Sequence, residues 1–192
     1  NFLREDHFDL LPFHNIGQTF NRLGYRFDKI STIPDIGYTA KQFSFNAIED
    51  IHYYEVPTPS TEIMFLTTME QGQFLESLFT LNFSRRFNVS IAYTGLRSLG
   101  KYRESLVSQG NFRTTFIYKT KKGQYNIRGH LSTQDILNEE SGGLTSESLE
   151  KFLTNDPNFS DRARLDVNLD DTENLLKTSR LFFEHDYQIF SS

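Results

Sequence analysis

With no cysteine among its 192 residues, the chain can build neither a disulfide framework nor a thiolate metal site or nucleophile, and a net charge of -5 without a basic stripe argues against nucleic acid as a partner. Mean hydropathy is -0.51, and no run reaches the roughly 18 to 20 apolar residues of a membrane helix. A spanning β-barrel stays open, because its strands need only about 9 to 11 residues with half their side chains polar.

The length is enough for one sizeable domain with a core, and aromatics (19 Phe and 9 Tyr, no Trp) carry much of the hydrophobic content. Asn1 to Tyr38 shows no sustained period, with a short strand plausible over Gly17 to Phe27. Tyr38 to Phe45 and Asp50 to Val56 read as further strands, the second closed by Pro57 and Pro59, which cannot donate to a ladder. From Glu62 the pattern firms. Glu62 to Met69 leads through EQGQ to Phe74–Phe83, where Leu75, Phe79, Leu81 and Phe83 alternate with Glu76, Thr80 and Asn82. Side chains on a strand point alternately to opposite faces, so this period of two marks a strand with unlike faces. In NVSIAYTGLR, Val89, Ile91 and Tyr93 alternate with Ser90, Ala92 and Thr94.

After the polar stretch SLGKYRESLVSQG comes a hairpin, Asn111–Lys119 and Gln124–Thr133, joined by TKKG, in which Gly123 supplies backbone freedom. Phe112, Phe116 and Tyr118 share one face of its first strand, with Arg113 and Lys119 on the other. Tyr125, Ile127 and Leu131 likewise oppose Arg128 and His130. Within the longest connection, 134–161, TSESLEKFLTND reads as one short helix with Ser146 or Thr145 as N-cap and Leu149, Phe152 and Leu153 as its apolar stripe. Two strands are expected to finish the chain. RARLDVNLD sets Leu165, Val167 and Leu169 against Arg164, Asp166 and Asp170; SRLFFEHDYQIF sets Leu181, Phe183, Tyr187 and Ile189 against Glu184 and Asp186.

Connections alternate between long (98–110, 134–161) and short (120–123, 172–177), an asymmetry that spanning barrels show. The polar faces mix both charge signs, as suits a hydrated lumen; in a soluble sandwich the same residues are simply outer surface, and alternation alone does not separate the two. Asp166, Asn168 and Asp170 recur at calcium-loop spacing, but the central Gly is missing and Lys177 stands where a bidentate Glu is required. The five histidines show no ligand spacing, and no nucleophile elbow, phosphate loop or dinucleotide fingerprint is present. The expectation is therefore no catalytic residue, no metal, no cofactor and no enzymatic activity.

NVSIAYTGLRSLGKY and SQGNFRTTFIYKTKKGQYNIRGHLSTQDILNEESGG, with LPFHNIGQTFNRLGYRF and AIEDIHYYEVPTPSTEIMF upstream and DRARLDVNLDDTENLLKTSR downstream, resemble the putative porins of Bacteroidota, a family of outer-membrane β-barrels. The resemblance implies an all-β fold, an antiparallel up-and-down transmembrane barrel with one short helix in a long loop. It further implies a place in the outer membrane of a Gram-negative cell. The function implied is passive passage of small solutes, or a structural role in an outer-membrane complex, with membrane lipids and other envelope proteins as partners. Members of that family are longer, so residues 1–192 read as a single barrel domain or as a portion of a larger barrel. A start at Asn1 without initiator Met or signal core, and an end at Ser192 just after a strand, agree with a portion.

On this reading the lipid-facing set is Val89, Ile91, Tyr93, Phe112, Phe116, Tyr118, Tyr125, Ile127, Leu131, Leu165, Val167, Leu169, Leu181, Phe183, Tyr187 and Ile189. The lumen-facing set is Arg113, Lys119, Arg128, His130, Arg164, Asp166, Asp170, Glu184 and Asp186. The competing class is a soluble all-β binding module that recognises glycan or protein.

Overall fold

The computed structural model describes residues 10–24, 44–68 and 71–189. Its body is one antiparallel sheet in which each strand pairs with its neighbour in sequence: β3 Ser60–Thr68, β4 Gly72–Ser84, β5 Phe87–Ser98, β6 Val107–Lys119, β7 Tyr125–Glu139 and β8 Glu173–Tyr187. β1 Leu10–Pro12 and β2 Phe20–Arg22 make a separate two-stranded ribbon. The architecture is thus all-β, antiparallel and up-and-down, with one short helix; among the described residues β3 and β8 do not pair with each other, so the sheet is open.

Period-two patterning produces this sheet because the register keeps like with like across it. Phe79, Ile91, Thr114, Leu131 and Leu181 form one row of direct partners. The neighbouring row is Leu78, Ala92, Arg113, Ser132 and Arg180. A slip of one residue in any strand would interchange its faces, so the rows fix the register. The first face points outward: Ile63 is 69 % exposed, Ile91 47 % and Leu181 66 %. The second face is covered and polar. Among the described residues thirteen buried side chains are polar and eight apolar, the reverse of what a soluble core requires.

The connections differ between the two ends. Residues 85–86 and 120–124 are tight, the second closed by the Gly123 amide donating to Thr120 O at 2.9 Å with Gly123 at φ +70°. At the other end lie the long 99–106 and 140–172, together with the short 69–71 between β3 and β4. α1, Ser146–Leu153, forms in the longer loop as expected, with Thr145 as its N-cap accepting from the Ser148 amide at 3.2 Å. Lys151, one turn on, hydrogen-bonds Glu147 and holds that carboxyl below its ordinary range.

Two expected strands do not form. In RARLDVNLD, the Asp161 carboxylate accepts from the Ala163 amide and folds Arg162–Arg164 into a 3-10 turn. A local side-chain bond of this kind competes with a ladder. Leu165 and Val167 are buried inside the loop itself, Val167 bridging to Leu144, while Leu169 is 42 % exposed there. Conversely 173–177, within the stretch 172–177 expected as a connection, open β8, because β7 continues to Glu139 and pairs Glu139 with Glu173. Ile189 lies past the end of β8. Asp50–Val56 forms no strand: Asp50 lies in a turn and 51–56 have no ladder partner. Of the Gly17–Phe27 expectation only Phe20–Arg22 is strand, and residues 25–27, like 38–43 of Tyr38–Phe45, lie outside the described residues.

One glycine is required by close approach. Gly129 is buried although it sits on the outward face, beneath Phe116 and Phe183, whose ring centroids lie 6.0 Å apart. A Cβ there would stand 2.8 Å from Phe182 O, which is backbone and cannot swing aside. Gly129→Ala is therefore expected to destabilise the sheet by about 1–3 kcal/mol, measured by urea titration of the folded protein.

Candidate functional site

The covered face is a wall of small polar groups with charges set between them. Ser90 Oγ and Thr115 Oγ1 are 2.6 Å apart, Thr80 Oγ1 donates to Asn88 Oδ1 at 3.2 Å, and Asn111 Nδ2 donates to Gln134 Oε1 at 2.9 Å. Arg113 lies between Thr94 Oγ1 at 3.3 Å and Glu76 at 3.8 Å, and Arg128 pairs with Glu184 on the adjacent strand. Such pairs are what cross-strand neighbours on a polar face provide.

Across this wall runs the segment 44–58, hereafter the strap. Its Asn46 exchanges two bonds with Gln134, amide N to Oε1 and Nε2 to carbonyl, each at 2.9 Å. Arg180 Nη2 donates to Asn46 O and Ala47 O, both at 3.1 Å, while Arg180 Nε donates to His130 Nε2 at 3.0 Å. Because a guanidinium only donates, His130 Nε2 must carry the lone pair and Nδ1 the hydrogen, which the Tyr53 hydroxyl accepts at 2.8 Å. Phe182 stacks on the His130 ring and Arg128 lies 5.1 Å over the Tyr53 ring. Further along, Glu55 pairs with Lys119, and Asn82 Nδ2 donates to Val56 O. Asp50–Val56 is thus held to the wall mainly by its side chains, Tyr53 and Glu55, with the Val56 carbonyl accepting from Asn82, and among the described residues it joins no sheet.

A second contact seals the end with the long loops. Asn15 Nδ2 donates to Ser98 O at 3.2 Å and Ser105 O at 2.8 Å, and Ser98 Oγ returns a bond to Asn15 Oδ1. Ile16 packs on Phe74, Leu96 and Val107, and Gly17, at φ +79°, comes so close that a Cβ would run into Leu96 and Val107. Between strap and wall remains a cavity of about 260 Å³, lined among others by Asp50, His52, Tyr54, Glu76, Asn111 and Arg113. Its lining offers hydrogen bonds and charge of both signs to a small polar solute.

Of the residues expected to face a lumen, Arg113, Lys119, Arg128, His130, Glu184 and Asp186 share the strap side of the sheet. His130 does so from complete burial under the strap, 1 % exposed. Arg164, Asp166 and Asp170 are not on the sheet; they sit in the 140–172 loop, where Arg103 binds Asp166 at 2.8 Å and Asp170 at 3.7 Å and so ties the two long loops together. Val89, Ile91, Tyr93, Phe112, Phe116, Tyr118, Tyr125, Ile127, Leu131, Leu181, Phe183 and Tyr187 all lie on the outward face. Leu165, Val167 and Leu169 belong to the loop. The expectations from sequence did not include Arg180, Tyr53, Asn46 and Gln134, which hold the strap; Arg180 was visible as a polar position of its strand, whereas Gln134 was expected in the 134–161 connection, although β7 runs on to Glu139, and nothing in 44–58 marked it as crossing a sheet.

A family model described as Putative porin matches residues 1–192, the whole chain. No curated protein and no solved structure matches it.

Proposed function

The chain belongs to the putative porin family, and from that premise we propose that it is part of a transmembrane β-barrel of the outer membrane through which small polar solutes pass passively, without catalysis and without a cofactor. The observation that carries the reading is the inverted distribution of side chains: large apolar groups such as Ile63, Ile91, Leu181 and Phe183 point out, while the covered face is mostly polar. In water such an outward face is an aggregation hazard; in a bilayer it meets acyl chains.

On β4 the outward residues from Leu75 to Phe83 span about 27 Å along the strand, comparable with the roughly 25 Å apolar band of such barrels. Phe83 stacks on Phe87, and Tyr118, Tyr125 and Tyr187 stand in the same outer zone beside the tight turns, as an interfacial aromatic belt does. In hydrocarbon each unpaired backbone group costs several kcal/mol, so the open edges of β3 and β8 call for further strands that close the barrel. Lipids are then the partner of the outward face, and the loops 99–106 and 140–172 are the surface offered to other envelope proteins.

The test is reconstitution of the full-length chain. Faster gel migration before heating than after, with discrete conductance steps in planar bilayers, is expected. A monodisperse product from detergent-free buffer would instead identify a soluble all-β binding module.

A further inference from the structure

We propose that the strap is the constriction of this pore and that its carboxylates give passage a preference for cations over anions; the proposal rests on the passage reading above. Position supports the first half. From Asn46 over β7 and β8 to Val56 over β4, the strap is bonded to four strands of the wall, so it occupies space that would otherwise be lumen.

Charge supports the second half. On the strap side of the described strands, Glu62, Glu76, Glu184 and Asp186 are matched by Arg113, Lys119, Arg128 and Arg180, so the wall is balanced in itself. The strap contributes Glu49, Asp50 and Glu55 and neither Lys nor Arg. Over the strap and the strap side of the described strands taken together, the excess charge is therefore negative and lies on the strap. Glu49 and Asp50 are exposed, facing the solvent a permeating ion would share. A ring or patch of carboxylates at the narrow point raises the local concentration of cations and repels anions, and low-dielectric walls focus that field.

The variant Glu49→Gln/Asp50→Asn removes this charge and keeps the shape, since an Asn at position 50 can still accept from the Ala47 amide as the Asp50 carboxylate does at 2.8 Å. Glu55 is left in place because it pairs with Lys119. The full-length protein is reconstituted in planar bilayers under a potassium chloride gradient, with Glu150→Gln on the remote helix as a control. The unaltered chain should favour potassium, the double variant should lower its cation-to-anion permeability ratio about twofold or more, and the control should not move it. An unselective or anion-selective native channel, or a double variant with native selectivity, overturns the proposal. Absence of any channel from the unaltered chain overturns the passage reading itself, a failure distinct from the other two.

Discussion

Ile91→Arg should destabilise the folded protein in lipid vesicles by on the order of 2–4 kcal/mol, the cost of an arginine on the lipid face near the bilayer midplane. Ile91 lies in the middle of β5, 47 % exposed on the outward face, with Phe79 and Thr114 as its direct neighbours across the sheet. The magnitude decides between environments. At a half-exposed surface position in water the same substitution should fall within about 0.5 kcal/mol, because nothing is buried and no network is broken. In hydrocarbon the guanidinium must either be dehydrated or draw water and headgroups toward itself, and the strand is penalised in both cases. Urea titration in vesicles, scored by the fraction that still migrates as the heat-modifiable form, measures the difference. A cost near zero would place this face in water and favour the soluble module.

The parts legible in the sequence are those whose cause is local. β5 and the hairpin of β6 and β7 announce themselves because every second residue is apolar, and that period is the pleat itself. The same regularity assigned Arg113, Lys119, Arg128, His130, Glu184 and Asp186 to one face without a structure. RARLDVNLD has an equally good period and is not a strand, since Leu165 and Val167 alternate to fill a small core inside the loop and Asp161 caps a turn. Alternation states that one side is buried; what buries it is a matter of tertiary structure. The strap was illegible for a related reason. Arg180 meets the Asn46 carbonyl from 134 positions away in sequence, and its bonds run from side chains to backbone, which leaves no periodic trace.

Arg180→Ala should free the strap. The guanidinium makes three bonds that no neighbour can replace, to His130 Nε2 and to the carbonyls of Asn46 and Ala47. Bonds to charged groups contribute about 1.5–3 kcal/mol each in isolation, and in a half-buried, shared arrangement they do not add. A loss of about 3 kcal/mol in strap docking is the expected sum, or roughly a hundredfold in the docked-to-free ratio. Because the chain has no cysteine, a single thiol can report it. Ile51 is 5 % exposed on the docked strap, so Ile51→Cys should react slowly with a membrane-impermeant thiol reagent and about a hundredfold faster when combined with Arg180→Ala. Arg180→Lys should restore little, because one ammonium cannot span an imidazole nitrogen and two carbonyl oxygens as a planar fork does. Equal protection with and without Arg180 would shift the hold to Gln134 and Lys119. Protection lost already in the single Ile51→Cys chain would mean the strap is not seated on the wall, and the constriction would fall with it.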